Sequence, residues 1–280
     1  MDNNRMQGKI CMVTGANSGI GKETAIGLAK QGATVVMVCR DAAKGEAALK
    51  EIKERSGNSS IDLLLADLSS QQAIRNLVKD FKSKYSKFHV LINNAGLVLS
   101  KRTLSVDGIE TQLAVNHLAP FLLTNLLLDV LKASAPARVV NTSSGIHKRA
   151  TLDDLQSEKK YSAFSAYGKS KLALTLFTYE LARRLKGSGV TVNAVHPGVV
   201  KTNLGRDMDW FSRGFTKIFF TSPVKGAATS IYVASSPEVE GITGKYFANK
   251  KETPSSKLSY DESAAKQIWD LSAKLTHLST

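Results

Sequence analysis

The sequence predicts an α/β fold, in which a doubly wound parallel sheet of about seven strands carries helices on both faces. Short apolar runs typical of buried strands alternate with longer segments of helical periodicity along the chain. The chain has 280 residues, which is enough for one large domain. Such alternation requires right-handed crossovers between parallel strands and places ligands at the carboxyl ends of those strands.

Each predicted strand is an apolar run bounded by polar or turn-forming residues. In order they are Ile10–Val13, Thr34–Cys39, Ile61–Ala66, Phe88–Ile92, Arg138–Asn141, Val190–Val195 and Gly244–Phe247. The predicted helices are Ile20–Lys30, Ala43–Arg55, Gln71–Tyr85, Val106–Leu131, Ser162–Leu185, Lys225–Ala234 and Tyr260–Leu275. We expect one domain over residues 1–280, with 249–280 as a C-terminal extension.

The charge balance has two interpretations. Thirty-eight basic residues against 24 acidic ones give a net charge of +14, which suits either a nucleic-acid or anionic-membrane surface, or a basic exterior that favours a polyanionic cofactor. The basic residues are mixed with acids and are not interleaved with aromatics, so we expect no nucleic-acid partner.

Compartment signals are few. Cys11 and Cys39 lie inside predicted strands and are expected to be buried and unpaired, which fits a reducing compartment. We see neither a signal-peptide apolar region nor a stretch of about 20 apolar residues, so we predict no transmembrane segment and a cytoplasmic location.

A glycine-rich turn joins the first strand to the first helix. Such a turn lets backbone N–H groups approach a pyrophosphate, and the helix N-terminus then faces the anion. The residues expected to bind the cofactor here are Gly15, Asn17, Ser18, Gly19, Ile20 and Gly21. Because the turn lies between the first strand and first helix of an alternating chain, it predicts a Rossmann-type nucleotide site rather than a purely structural turn.

The end of the second strand distinguishes the nucleotide. An acid there would bind a ribose diol and repel a 2′-phosphate, but this chain has Arg40, which can pair with a phosphate. Lys22 could add charge nearby, and Asp41 comes one position late. We therefore predict NADP(H) rather than NAD(H); the alternative is that Arg40 is merely solvated.

Two further segments follow the third and fourth strands. Asp67 and Leu68 are placed where they could contact the adenine, and Asn94, Ala95 and Gly96 where they could pack beside the adenosine. Each segment could equally be a polar turn.

Tyr167 and Lys171 are four positions apart in a predicted helix, so both side chains share one face. An ammonium beside a phenol favours the phenolate and lowers its pKa. The pair is thus a candidate proton donor and acceptor for carbonyl–alcohol interconversion, although taken alone it could be an exposed side-chain pair.

Together these motifs resemble the short-chain dehydrogenase/reductase family, to about Phe247. Its glycine pattern, its Asn-Asn-Ala-Gly, its Tyr-x-x-x-Lys and its Pro-Gly are matched by Thr14, Gly15, Gly19, Gly21, Asn93–Gly96, Tyr167, Lys171 and Pro197-Gly198. The segments Asn17–Thr24, Cys39–Asp41, Asp154–Lys159 and His196–Val200 resemble the retinol dehydrogenase branch in particular. This resemblance implies NADP(H) chemistry on a lipophilic carbonyl or alcohol.

The resemblance also implies roles for single residues. Ser144, rather than Ser143, would orient the substrate oxygen, and Tyr167 would be the acid and base. Lys171 would lower the pKa of the phenol and hold the nicotinamide ribose, and Asn116 would position Lys171 through a water. Backbone around Pro197, Gly198 and Val200 would carry the nicotinamide amide, with Thr202 on the amide or pyrophosphate.

The resemblance also implies a substrate lid over residues 202–222. Phe211, Phe215, Ile218 and Phe219 there share one apolar helical face, which would suit a lipophilic substrate. Core packing and an interfacial helix at a membrane are the alternatives. Ile268, Trp269, Leu271 and Leu275 could cover the pocket or a subunit partner; the family often forms homodimers or homotetramers through the helices around Asn116 and Tyr167.

Two negative expectations and one rival complete the prediction. His117, His147 and His196 are expected to have structural or pocket-lining roles, and we predict no metal site because no ligand spacing is matched. The rival function is a catalytically silent NADP(H)-sensing protein, which a broken Ser-Tyr-Lys set would favour; the set is whole here.

Overall fold

The sheet of this computed structural model, which describes residues 4–198 and 221–279, confirms the predicted fold class. Its strands are β1 Ile10–Thr14, β2 Thr34–Cys39, β3 Ile61–Leu65, β4 Val90–Asn93, β5 Ala137–Thr142, β6 Val190–His196, β7 Tyr246–Ala248 and β8 Lys251–Glu252. They lie in the order β3-β2-β1-β4-β5-β6-β7-β8, and all pairs are parallel except β7 with β8. The order reverses between β1 and β4, which opens a crevice at the carboxyl edge.

Helices cover both faces of the sheet. Within the described ranges the α-helices are α1 Gly19–Ala29, α2 Ala42–Ser56, α3 Gln71–Lys84, α4 Thr111–Leu113, α5 Ala119–Leu126, α6 Leu128–Ala133, α7 Ala163–Arg184, α8 Pro223–Ser235 and α9 Glu262–Leu275. Local chemistry sets several of the boundaries: the Asp41, Ser70 and Asp261 side chains accept backbone N–H bonds at the starts of α2, α3 and α9.

Alternation along the strands divides the core into two layers. In β1, Met12 packs with the layer under α3, α5 and α7, whereas Cys11 and Val13 pack with the layer under α1, α2 and α8. This is the period-two alternation of a strand that is buried on both faces. Both cysteines are free and buried, as predicted.

The predicted long helix Val106–Leu131 is wrong. Leu104 pairs with Glu110 in an isolated antiparallel bridge, with Gly108 at φ 74° in the turn between them. The Glu110 carboxylate then accepts hydrogen bonds from the N–H groups of Gln112 and Leu113, so the helix begins only at Thr111. A π-helical segment, Ala114–Leu118, follows, and the helix breaks again at Leu127.

The predicted C-terminal extension, residues 249–280, contains regular secondary structure. Residues 249–259 contain β8, the eighth strand, which is two residues long, and a 3-10 helix, Leu258–Tyr260, precedes α9. Trp269 of α9 is buried against Phe121 and Phe177, and the Arg184 guanidinium lies 3.9 Å from its ring centroid. Ile268 and Trp269 therefore cover this chain's own core, whereas Leu271 is exposed.

Candidate active site

In the turn after β1, glycines allow neighbouring chain segments to approach more closely than residues with a side chain would. Gly15 and Gly19 have φ values of 68° and 56°, in the region that favours glycine. A Cβ on Gly21 would lie 2.3 Å from the Gly15 carbonyl oxygen and 2.5 Å from Asn94 Nδ2. Backbone from two strand ends is thus packed together where a nucleotide would lie.

The N-terminus of α1 directs backbone donors into this turn. Ser18 at the N-cap is extended (φ −161°), and its side chain makes no capping hydrogen bond. The first turn, which includes Gly19 and Ile20, contains no acidic residue. A helix start of this kind favours an anion such as a pyrophosphate. Asn17 lies in the same turn.

The segment after β4 is tied to the end of β1. The N–H groups of Asn94 and Ala95 donate to Thr14 Oγ1 at 2.9 and 3.0 Å, and Asn94 Nδ2 donates to the Thr14 carbonyl at 2.9 Å. Gly96 follows, and a Cβ there would lie 3.2 Å from Asn116 Oδ1. The predicted segment therefore links the nucleotide turn to the catalytic residues described below.

At the end of β2, Arg40 is exposed and its nearest acidic partner is Asp67, at 3.9 Å between Nη1 and Oδ2. The Asp41 carboxylate accepts from the Lys44 N–H at the start of α2 and so is directed into that helix. Lys22, which we expected to add charge here, instead pairs with Glu51 at 2.6 Å. Arg40 is therefore the better-placed cation for a phosphate at this edge.

The side chains of the two residues after β3 make local contacts. Asp67 Oδ1 accepts hydrogen bonds from the N–H and hydroxyl of Ser69. Leu68 is half-buried against the core layer beneath α3. These contacts fix the backbone beside Arg40.

The predicted catalytic pair, Tyr167 and Lys171, lies at the carboxyl end of β5. Lys171 is buried; its Nζ donates to the Thr142 carbonyl at 2.7 Å and lies 5.7 Å from the Tyr167 ring centroid. The Tyr167 phenol hydrogen-bonds the Ser144 side chain. The structure thus brings Ser144, Tyr167 and Lys171 together, as the sequence predicted.

Burial displaces both titrating groups from their ordinary pKa values. It raises the pKa of Tyr167 to about 12, and the Ser144 hydrogen bond opposes that rise. It lowers the pKa of Lys171 to about 7. The predicted lowering of the phenol pKa by Lys171 is therefore wrong for this structure. Desolvation of the phenolate is the largest cause of the raised pKa of Tyr167.

Asn116 lies in the π-helical segment and is fully buried. Its Oδ1 accepts from the Leu97 N–H at 2.8 Å, and its Nδ2 donates to the Leu97 carbonyl at 3.0 Å and to Ser170 Oγ at 3.1 Å. Ser170 Oγ in turn bonds the Tyr167 carbonyl at 2.8 Å. Asn116 therefore joins the segment after β4 to the helix that carries the catalytic pair.

The two serines after β5 point in different directions. Ser143 Oγ bonds the Lys171 carbonyl at 3.3 Å and Thr175 Oγ1 at 2.9 Å, so it anchors α7 rather than capping a helix. Ser144 is only partly buried and faces Tyr167. The preference for Ser144 over Ser143 as the substrate-orienting residue agrees with this geometry.

The three histidines have different surroundings. His117 is buried, with Nε2 2.7 Å from Ser272 Oγ, and burial lowers its pKa to about 3, so its role is structural. His196 ends β6, and burial lowers its pKa. His147 lies directly behind Ser144, three residues along the chain.

The remaining predicted residues are at the end of β6 or beyond the described ranges. Pro197 and Gly198 follow β6, with Gly198 at φ 83°. Val200 and Thr202, and all of the predicted 202–222 lid except Thr221 and Ser222, lie outside the described residues. Those outside include the apolar lid residues Phe211, Phe215, Ile218 and Phe219.

Two contributors were not predicted from the sequence. Thr142 holds Lys171 through its backbone carbonyl, which no side-chain pattern could reveal. Ser170 stands three residues after Tyr167, so helical spacing could have indicated it. Within the described ranges, no group of three or more His, Cys, Asp or Glu side chains could hold a metal ion, and no helix has the length and apolarity that a membrane crossing requires.

Comparison with known proteins is consistent with this geometry. A family model described as short chain dehydrogenase matches residues 9–210. Retinol dehydrogenase 11 of Mus musculus is 46% identical over 281 residues, covering 99% of this chain and 89% of the relative.

Two solved structures are similar over most of this chain. A crystal structure of an uncharacterized protein from Mycobacterium Paratuberculosis has a TM-score of 0.81 at 35% identity, covering 99% of this chain and 96% of that one. A short chain dehydrogenase from Burkholderia cenocepacia, solved in complex with NADP, has a TM-score of 0.71 at 30% identity, covering 88% and 97%.

Proposed function

The chain belongs to the short-chain dehydrogenase family of oxidoreductases, and from this membership we propose an NADP(H)-dependent enzyme that interconverts a carbonyl and an alcohol on a lipophilic substrate. One observation carries the proposal: Ser144, Tyr167 and Lys171 are assembled at the carboxyl end of β5, beside a turn where a single added Cβ would not fit.

The nucleotide site fits a dinucleotide on this chain's own geometry. Gly15 and Gly21 let the turn pack tightly against the segment after β4, the α1 N-terminus supplies donors, and Asn94 to Gly96 form the adjoining wall. When bound, NADP(H) supplies or accepts the hydride, which no protein side chain can do. Pro197, Gly198, Val200 and Thr202 would hold the nicotinamide end.

The side chains would then orient the substrate oxygen and transfer one proton to or from it. Ser144 donates to the substrate oxygen and orients it, and Tyr167 gives that oxygen a proton during reduction or takes one during oxidation. With a pKa of about 12, the phenol keeps its proton at neutral pH, so this state suits carbonyl reduction. General acid catalysis of this kind contributes roughly 10²–10⁴-fold.

Lys171 and Asn116 support Tyr167 rather than react with the substrate. Lys171, held by the Thr142 carbonyl, would bind the ribose hydroxyls. With a pKa of about 7, it can also exchange a proton with water near neutrality. Asn116 would connect Lys171 to solvent through a water, which completes a path for replacing the proton that Tyr167 gives away.

The preference for NADP(H) rests on Arg40. Its guanidinium is exposed, and its contact with Asp67 at 3.9 Å is too long to satisfy it. A 2′-phosphate would receive paired hydrogen bonds from this planar group. The similar Burkholderia dehydrogenase was solved with NADP.

The lipophilic substrate is supported by two independent features. The relative's name identifies retinol, an apolar alcohol, as the substrate of that protein. In this chain, Phe211, Phe215, Ile218 and Phe219 of the predicted 202–222 lid are spaced along one apolar helical face. Homo-oligomerisation, peripheral membrane contact and a cytoplasmic location remain predictions.

A substrate panel tests this proposal. The protein is mixed with NADPH and apolar or polar aldehydes and ketones, loss of the reduced-cofactor absorbance is followed, and NADH is run in parallel. We expect turnover with apolar carbonyls and at least about tenfold higher kcat/KM with NADPH. Tight NADPH binding without turnover on any carbonyl would instead identify the catalytically silent sensing protein.

A further inference from the structure

His147 is enclosed directly behind the substrate-orienting serine. It belongs to a 3-10 helix, Gly145–Arg149, that begins after Ser144, and its side chain is fully buried. Its Nδ1 lies 2.5 Å from the Ser144 carbonyl oxygen. On the opposite side of the ring, Nε2 lies 3.2 Å from the backbone nitrogen of Ser256, 109 residues along the chain.

These two contacts define where the imidazole proton lies. A backbone N–H can only donate, so Nε2 facing Ser256 must be the acceptor and carries no proton. A neutral imidazole has one proton, which therefore lies on Nδ1 and is donated to the Ser144 carbonyl. Burial lowers the pKa of His147, which favours this neutral form at pH 7.

The Ser256 amide is itself firmly held. Ser255 Oγ lies 2.7 Å from the Tyr179 hydroxyl of α7, and Ser259 Oγ donates to the Ser256 carbonyl at 2.6 Å. The His147 ring also packs on Tyr246 of β7, with centroids 5.1 Å apart. The ring cannot turn over without losing both hydrogen bonds.

We propose that His147 is a positioning residue: its Nδ1–H fixes the Ser144 backbone so that the serine hydroxyl faces the substrate oxygen, and the Ser256 amide selects the tautomer that can do so. The kinetic part of this inference rests on the proposed carbonyl–alcohol chemistry. The tautomer part rests on the geometry alone.

Two substitutions separate the two hydrogen bonds. His147→Asn places an amide nitrogen near the Nδ1 position and keeps the donor to Ser144, but it is too short to reach Ser256. His147→Gln reaches the Nε2 position and keeps an acceptor for Ser256, but it has no donor beside Ser144. His147→Asn should therefore lower stability more than kcat, whereas His147→Gln should lower kcat more than stability.

The expected results are stated for kcat, for the KM of NADPH and for the melting temperature. His147→Asn should keep kcat within about threefold while the melting temperature falls, since the long-range bond is lost. His147→Gln should retain more of the melting temperature but lose roughly ten- to hundredfold in kcat, because small misplacements of orienting groups are costly. The KM for NADPH should change little in both. A kcat that instead follows the melting temperature across the two variants would show a merely structural role and overturn the proposal.

A matched control and a measurement without turnover complete the test. His89 also accepts a backbone N–H, from Ile10 at 3.0 Å, but at the opposite end of the sheet, so His89→Gln should lower stability with kcat unchanged. Nitrogen NMR of the wild-type protein should show His147 neutral, with its proton on Nδ1, at pH 7. A proton on Nε2, or on both nitrogens, would overturn the proposal even if no carbonyl is turned over; inactivity alone would count only against the proposed function.

Discussion

The proposed nucleotide turn and the proposed catalytic cluster lie at the same edge of the sheet but are built in different ways. The turn after β1 depends on closely packed backbone: Gly21 has no room for a Cβ, and the Thr14 and Asn94 side chains tie the neighbouring strand to it. The cluster after β5 contains two titratable side chains, half-buried Tyr167 and buried Lys171, whose pKa values desolvation has displaced in opposite directions.

The difference indicates how each region should respond to change. A site built from closely packed backbone should lose ligand affinity when side-chain volume is added, and its affinity should not depend on pH. A site made of buried ionisable groups tolerates small changes in volume but depends on which proton is present. Mutations and pH should therefore affect the two regions in separable ways.

Removing the Tyr167 hydroxyl should have the largest effect. Tyr167→Phe takes away the proton donor and leaves the nucleotide turn intact, so kcat should fall by about 10³-fold or more while NADPH affinity stays within about twofold. Stopped-flow or steady-state reduction measures the first quantity, and a fluorescence titration the second. Tyr85→Phe, which removes a phenol bonded to Asp62 away from the site, is the matched control. Retained turnover would remove Tyr167 from its assigned role.

Adding one carbon to the turn should have the next largest effect. Gly21→Ala places Cβ 2.3 Å from the Gly15 carbonyl, so the turn must open, and NADPH should bind about a hundredfold more weakly. Gly27→Ala is the control on the same helix, because its Cβ meets only the flexible end of Ile231. We expect that variant to lose stability but not affinity; equal losses of affinity would contradict a backbone-built site.

A smaller effect should distinguish the two nucleotides. Arg40→Ala removes the cation expected to pair with a 2′-phosphate, so the dissociation constant for NADPH should rise by about tenfold while that for NADH changes by less than about twofold. Lys44→Ala removes an equal charge that pairs with Asp41 nearby, and it should change neither. Parallel losses for both nucleotides would point to general charge attraction.

The smallest expected effect is a pH dependence of stability. Because burial lowers the pKa of Lys171 to about 7, the unfolded chain binds more protons than the folded one between pH 7 and about 10. The free energy of unfolding should therefore rise by about 1 kcal/mol from pH 7.5 to 8.5, which corresponds to about 2–4 °C in melting temperature. The window stops there because burial raises the pKa of Cys11 and Cys39, which reverses the trend at higher pH.

Lys171→Met tests the assignment of this rise. The variant should show a nearly flat melting temperature over the same interval, since it lacks the amine whose lowered pKa causes the rise. An unchanged rise in the variant would place its origin elsewhere.

Local patterns predicted the position of the glycine-rich turn well and the central helix badly. The glycine spacing and the Tyr167–Lys171 spacing are short-range features, and strands β1 to β7 lie close to their predicted positions. Val106–Leu131 is apolar enough to suggest one helix, but the Glu110 side chain starts the helix late and a π-helical segment surrounds Asn116. Asn116 itself bonds distant partners, Leu97 and Ser170, which a local pattern does not reveal.

The displaced pKa values could not be predicted from the sequence. The same spacing of Tyr167 and Lys171 could occur on an exposed helix, where neither side chain is desolvated. Only the packing around α7 determines the desolvation, and the Thr142 carbonyl that holds Lys171 belongs to a strand 29 residues earlier. β8 was missed because its two residues, Lys251 and Glu252, are both charged and exposed.

The enclosure of α7 by its own chain limits how two copies could meet. Leu174 and Phe177 pack toward the sheet, whereas Leu172 and Leu176 pack beneath Ala265 and Ile268 of α9. A second copy that packed against this face of α7 would first have to displace α9. That displacement would expose apolar side chains, each at a free-energy cost of about 1.5–3 kcal/mol. A quaternary contact on the face of α7 that Leu172 and Leu176 line would therefore be formed with the outer surface of α9.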